Sequence, residues 1–90
     1  MFSIHYSTKF KKNLALMVRR GKDPGKIKPV IIRLANGIHL DPKQKDHGLS
    51  GNFAGFRDCH IEPDWLLIYR IEENILHLER TGTHSDIFKK

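Results

Sequence analysis

Ninety residues allow one hydrophobic core and leave no room for a second, so a single domain over residues 1–90 is expected. One cysteine, Cys59, excludes an internal disulfide, and no apolar run approaches the roughly 20 residues of a membrane span. Sixteen Lys and Arg against ten Asp and Glu give a formal charge of +6, which suits a polyanionic partner, either nucleic acid or an acidic protein.

The N-terminal MFSIHYSTKF is too broken by polar residues to serve as a signal peptide, and a cytoplasmic protein is expected. Its alternation, Phe2, Ile4 and Tyr6 against Ser3 and His5, predicts a short strand with His5 on the polar face. Ser7 or Thr8 then offers a helix N-cap. Phe10, Leu14, Met17 and Val18 recur at helical spacing, with Lys9, Lys11, Lys12, Arg19 and Arg20 on the other sides. Gly21 is a natural stop. Asp23-Pro24 opens a second helix, carried by Ile27, Val30, Ile31 and Leu34 to Ala35 and ended by Asn36-Gly37. Pro29 removes one backbone hydrogen bond, so the regular helix is expected to begin near Lys28 or to bend there.

Residues 38–51 read as a loop marked by Asp41-Pro42, Gly48 and Gly51, and they carry Lys43, Lys45, His39 and His47. Asn52 to His60 is strand-like, with Phe53, Phe56 and Cys59 as its apolar positions. Trp65 to Ile71 is apolar on both sides, which predicts a central strand. Glu72-Glu73-Asn74 is a turn, and Ile75 to Thr81 forms another strand that ends in Thr81-Gly82-Thr83. The tail, His84 to Lys90, is short, and Ile87 and Phe88 are placed to dock back. The order is β-α-α-β-β-β, an α+β domain with two helices packed on an antiparallel sheet.

The chemistry-bearing residues concentrate between His47 and Phe88. If Ile61-Glu62-Pro63 is the hairpin loop, His60 and Asp64 form a cross-strand pair with Cα atoms about 4.5–5.5 Å apart. An aspartate beside an imidazole orients it and fixes its tautomer; the plainer alternative is a capped turn with a surface ion pair. Antiparallel order returns Arg80 and His84 to the same end of the sheet, and the loop brings His47 toward it. Imidazoles, a carboxylate and a guanidinium in one place suit phosphodiester chemistry. One group takes the proton of a ribose 2′-OH, another protonates the leaving 5′-oxygen, and the arginine stabilises the phosphorane charge. Trp65, Tyr69 or Phe88 then offers a ring for a splayed base. His47, His60, Asp64 and His84 are also legal metal ligands, but no HxH or HExxH spacing supports a metal site. His39 has no partner in the pattern. His77 falls on the face of Ile75 and Glu79, opposite Leu76, Leu78 and Arg80, and reads as structural.

From Lys45 onward the chain resembles the YafQ-type toxins of the RelE superfamily, ribosome-dependent mRNA interferases of bacterial type II toxin–antitoxin pairs. The resemblance rests on KDHGLSGNF, GFRDCHIEPDWLLIYRI and LERTGTHSDIF. It covers about half the chain; the N-terminal half matches in element order more than in residues. It implies a small RelE-like α+β fold with the active site on the concave face of the sheet. Position by position, the family's active-site residues fall on His47, His60, Asp64, Trp65, Arg80, His84 and Phe88.

The resemblance implies that His84 is the general acid, that His47, His60 and Asp64 share general-base and orienting work, and that Arg80 holds the scissile phosphate. It implies that Trp65 and Phe88 shape the site or stack, with Asp58 and Arg57 in support. No metal or other cofactor is expected. The implied partners are the mRNA in the ribosomal A site, where Lys43 and Lys45 meet phosphates, and a cognate antitoxin of the DinJ/RelB kind. DNA is reached only through the antitoxin, and no membrane is involved. The alternative is a non-enzymatic toxin of the same fold, like the ParE group that targets DNA gyrase. A pure inhibitor, however, has no need of acid–base groups.

Overall fold

Five strands and three helices form among residues 1–89, the part of the chain that the computed structural model describes. Lys90, the end of the expected tail, lies outside the described residues. Strand β1 (Ser3–Tyr6) leads into helices α1 (Thr8–Arg19) and α2 (Pro24–Ala35). Strands β2 (His47–Gly48), β3 (Arg57–Glu62), β4 (Trp65–Glu72) and β5 (Ile75–Gly82) follow, and α3 (His84–Phe88) comes last. The sheet order is β1-β5-β4-β3-β2, antiparallel except at one edge, where β1 runs parallel to β5. A parallel neighbour needs a long crossover, and the two-helix segment between β1 and the rest of the sheet makes one available. Among the described residues no helix is long and apolar enough to cross a membrane.

Local chemistry explains where the helices start. The Ser7 hydroxyl oxygen accepts from the Phe10 N–H at 2.9 Å and its proton goes to the Glu79 carbonyl at 2.8 Å, which ties the head of α1 to β5. The Asp23 carboxylate accepts from Gly25 N–H at 2.8 Å, and Pro24 occupies the first helical position. Helix α2 therefore begins at Pro24 and runs through Pro29 to Ala35, earlier than the proline suggests. Burial of Ile27 holds the first turns in place despite the missing hydrogen bond.

Strand β4 is buried on both faces, as its composition predicts. Trp65, Leu67 and Tyr69 meet Phe10, Met17, Ile27, Val30 and Leu34 on the helix side. Leu66 and Ile68 face the other way, toward Ile87 with Phe53, Phe56 and Phe88 around it. Each such side chain contributes about 1.5–3 kcal/mol by leaving water. Val18, expected on the buried stripe of α1, sits at its rim and is 43% exposed.

Three boundaries depart from the sequence reading. Strand β3 begins at Arg57, because residues Gly51–Phe53 form a 3₁₀ turn and Gly55 takes a left-handed φ of 90°. The segment expected to be loop holds a 3₁₀ turn at Pro42–Gln44 and the two-residue β2. The tail is a helix, opened by a capping box in which Asp86 N–H donates to Thr83 Oγ1 at 3.1 Å and Thr83 N–H donates to the Asp86 carboxylate at 3.0 Å. Gly82 is needed beside it, since a Cβ there would lie 3.0 Å from the Asp86 Cβ.

Arg20, at the end of α1, adds two guanidinium hydrogen bonds to Asp86, at 2.7 and 3.3 Å. Arg20 foremost, then the Thr83 backbone N–H, pulls the Asp86 carboxyl down to about 2. A carboxyl held below its unfolded value contributes stability above that unfolded value and loses it as pH falls through the folded one. Wild type is therefore expected to exceed Asp86→Asn by about 1 kcal/mol above about pH 4, after solvent screening, and to lose that margin as pH nears 2. Thermal melts of both proteins between pH 5 and 2 measure this; a margin that stays constant would remove the ion pair from the account.

Candidate active site

Two β-bulges decide which side chains reach the face that α1 and α2 leave uncovered. Between β4 and β5 the register steps from Tyr69↔Leu78 to Ile68↔Arg80, so Glu79 is an extra residue in β5. Without it Arg80 would follow Leu76 and Leu78 onto the helix side, as strict alternation predicts. With it Arg80 shares a face with Ile68. Between β3 and β4 the register steps from His60↔Leu66 to Glu62↔Trp65, with Ile61 extra. His60 therefore joins Leu66 on the open face. Glu62 turns to the helix side, where Lys22 and Lys26 reach it at 2.6 and 2.8 Å.

The open face is ordered in rows. His47, Asp58, Ile68 and Arg80 are aligned across β2, β3, β4 and β5. His60, Leu66 and Gly82 form the row two residues along β3, and two residues past Gly82 lies His84, the first residue of α3. The His60 and His84 rings stand edge to face with centroids 5.5 Å apart, and the Phe88 ring lies 6.4 Å from His84.

Asp64 does not pair with His60 as the spacing suggested. The bulge at Ile61 moves the hairpin turn to Pro63-Asp64, and the Asp64 carboxylate points at the head of α3 instead. There it accepts from the His84 backbone N–H at 2.9 Å and sits 2.5 Å from His84 Nδ1. The backbone N–H, followed by the imidazole, holds the Asp64 carboxyl below the usual range. An ionised carboxylate fixes the ring with Nδ1 protonated, on a side chain that is 46% exposed.

His47 lies at the far edge of the sheet. Its Nδ1–H donates to the Lys45 carbonyl at 2.7 Å, and the Asp58 carboxylate lies 3.1 Å from the same nitrogen. The loop before it is anchored by Asp46, whose carboxylate accepts from the Tyr69 hydroxyl at 2.6 Å and from Arg57 Nε at 3.1 Å. Burial and this carboxylate push the Tyr69 hydroxyl up. Nothing in the sequence marks Asp46 as an anchor, because one acidic residue in a lysine-rich loop has no periodicity.

Arg80 is held at Nε by the Asn13 side chain at 2.7 Å, and no carboxylate pairs with it among the described residues. Its guanidinium borders a shallow groove with Asn52, Phe53 and Phe88. Lys43 and Lys45 flank a second groove of about 320 Å³ that reaches His60. Trp65 is wholly buried on the helix side, its indole N–H donating to Thr81 Oγ1 at 2.9 Å, and Tyr69 is 2% exposed. Neither ring is open to a base, so stacking by Trp65 or Tyr69 does not fit this placement, whereas Phe88 is half-exposed beside His84. His77 meets His5 at the β1 edge, with ring centroids 5.7 Å apart and no part in the site.

Known proteins share this fold. The family model described as the bacterial toxin of type II toxin–antitoxin systems, YafQ, matches residues 2–89. The mRNA interferase toxin YafQ of Escherichia coli K12 is 43% identical over 86 residues, 94% of each chain. The toxin in the crystal structure of the E. coli DinJ–YafQ complex superposes with a TM-score of 0.90 at 42% identity, covering 98% of this chain and 99% of that one. A metal-bound toxin from Helicobacter pylori superposes at 0.91 with 44% identity, covering 98% of this chain and all of that one. A family match across nearly the whole chain, on a fold that sets the same motifs around one face, leaves one assignment: the chain belongs to the YafQ family of type II toxin–antitoxin toxins.

Proposed function

We propose that this chain is an endoribonuclease, an mRNA interferase toxin that cuts translated mRNA in the ribosomal A site and is neutralised by a cognate antitoxin. The observation that carries the reading is the exposed His84 ring, oriented by Asp64 at 2.5 Å and packed edge to face with His60. Such a pair, on a face that also holds His47 and Arg80, supplies an acid, a base and a fixed cation for one phosphodiester.

In this reading His47 or His60 takes the proton of the ribose 2′-OH. The freed O2′ electron pair attacks phosphorus and the P–O5′ bond breaks. O5′ takes the proton held on His84 Nε2, leaving a 2′,3′-cyclic phosphate and a 5′-hydroxyl. Arg80 offsets the charge that builds on the non-bridging oxygens. Phe88, beside His84, offers a half-exposed ring to a base, and Trp65 shapes the floor from behind. Lys43 and Lys45 extend the contact along the phosphate backbone. The proton transfers run on imidazoles and need no metal. The antitoxin is of the DinJ/RelB kind, in line with the relative crystallised with DinJ, and DNA is contacted only through it. The site of action is the cytoplasm, where translation occurs.

Primer extension on a translated message tests the reading directly, with purified protein, with and without ribosomes, and with EDTA. Codon-phased cuts that require ribosomes and survive EDTA are expected. Cuts lost in EDTA and restored by a divalent cation would overturn the metal-free chemistry. An intact message under all conditions, alongside growth arrest in cells, would favour a gyrase-type inhibitor.

A further inference from the structure

The floor of the site holds a carboxylate that the mechanism above leaves idle. Asp58 is 3% exposed and lies in β3 between His47 of β2 and Ile68 of β4. Its Oδ1 is fully buried and has no hydrogen-bond donor among the described residues. His47 Nδ1 is 3.1 Å from that oxygen but gives its proton to the Lys45 carbonyl. A buried acceptor left without a donor is costly, and natural folds rarely keep one without a use. The groups that act on Asp58 are His47, His60 and His84, which pull its carboxyl down in that order of strength, and Asp46, which pushes it up. Burial outweighs all of them and raises it. The imidazole nearest to Asp58 is thus one of the two rings assigned to take the ribose proton.

We propose that Asp58 is a positioning residue for His47, whose buried carboxylate stabilises the imidazolium formed when His47 Nε2 accepts the 2′-OH proton. This rests on the interferase reading above. When the O2′–H bond breaks and the proton reaches Nε2, the ring gains a full positive charge while Nδ1–H stays on the Lys45 carbonyl. Asp58, next to that nitrogen and shielded from water, faces the new charge without having to move. Burial of the carboxylate, beside a ring that is itself half-exposed, makes the interaction stronger than between two surface groups. The Asp64–His84 pair differs in kind: there the carboxylate is exposed and directly hydrogen-bonded, and the ring begins the reaction as the acid. Among the described residues His60 has no carboxylate ion pair, so only one of the two candidate bases is backed in this way.

Two measurements test this. In ribosome-programmed cleavage, Asp58→Asn keeps the shape and removes the charge. Losing the carboxylate is expected to lower kcat about tenfold while KM and the melt stay near wild type. A loss that appears in KM or in the melt and leaves kcat unchanged would overturn the proposal, since that is what a purely structural role produces. The second measurement needs no activity and does not depend on an Asp58 variant folding. The ¹³C shift of the Asp58 carboxyl is followed against pH in wild type and in His47→Gln, a change at an exposed side chain. The Asp58 midpoint is expected to rise when His47 is removed; an unmoved midpoint would overturn the coupling. Failure of wild type to cleave at all would instead remove the interferase reading, with the carboxyl titration still there to judge the coupling on its own.

Discussion

Replacing His84 by alanine is expected to lower ribosome-programmed cleavage by about 10²–10⁴-fold while leaving the fold nearly as stable as wild type. The rate loss follows from the proposed role, in which His84 protonates O5′ through Nε2 because Nδ1 is held on Asp64. The structural cost is small because the His84 side chain is 46% exposed and its contact with Asp64 is a surface pair screened by solvent. The alanine variant also keeps the backbone N–H that caps Asp64 at 2.9 Å, so the head of α3 stays anchored. Single-turnover cleavage on programmed ribosomes, beside thermal melts and antitoxin binding, separates the two effects. A variant that cleaves within tenfold of wild type while folding normally would take the general acid away from His84. A variant that loses cleavage only because it melts would show that α3 depends on the ring.

The legibility of this fold in its sequence follows the length of each periodic signal. Strand β4 was readable because Trp65 to Ile71 is apolar on both sides, and α1 and α2 because their caps and stripes agree. The tail, expected only as a short segment with Ile87 and Phe88 docking back, is a helix whose signal is the capping-box spacing of Thr83 and Asp86. The bulges were not readable. A two-residue alternation puts Arg80 with Leu76 and Leu78 and sets Asp64 opposite His60; one extra residue in each of β3 and β5 reverses the first and displaces the second. Such a residue has no signature of its own, since Ile61 and Glu79 would fit an unbroken strand equally well. Strand β2 is two residues long and has no period to detect. The resemblance to the toxin family pointed to His47, His60, Arg80 and His84, which the structure gathers on one face, but it did not say that Asp64 contacts His84 or that Asp58 lies beside His47.

The placement of Trp65 leads to the largest expected loss of stability. Its indole is fully buried among α1, α2 and the helix side of the sheet, and its N–H donates to Thr81 Oγ1, which in turn donates to the Leu66 carbonyl at 2.7 Å. Trp65→Ala opens a cavity the size of the ring and takes the indole donor from Thr81 Oγ1, at a cost of about 3–5 kcal/mol. That is a large share of the 5–15 kcal/mol typical of a domain, and at about 4–8 °C per kcal/mol it lowers the melting temperature by more than about 12 °C. Trp65→Phe retains most of the apolar volume and loses the donor, so about 1–3 kcal/mol is expected. The informative reading is cleavage per folded molecule. A residue that touches only the core leaves kcat and KM near wild type in Trp65→Phe at a temperature where the variant is folded. A stacking residue would raise KM about tenfold or more with little change in the melt, since stacking on one base is worth about 1–3 kcal/mol. Intact KM with a lowered melt places Trp65 beneath the site; raised KM with an intact melt means that the ring swings out to meet the message on the ribosome.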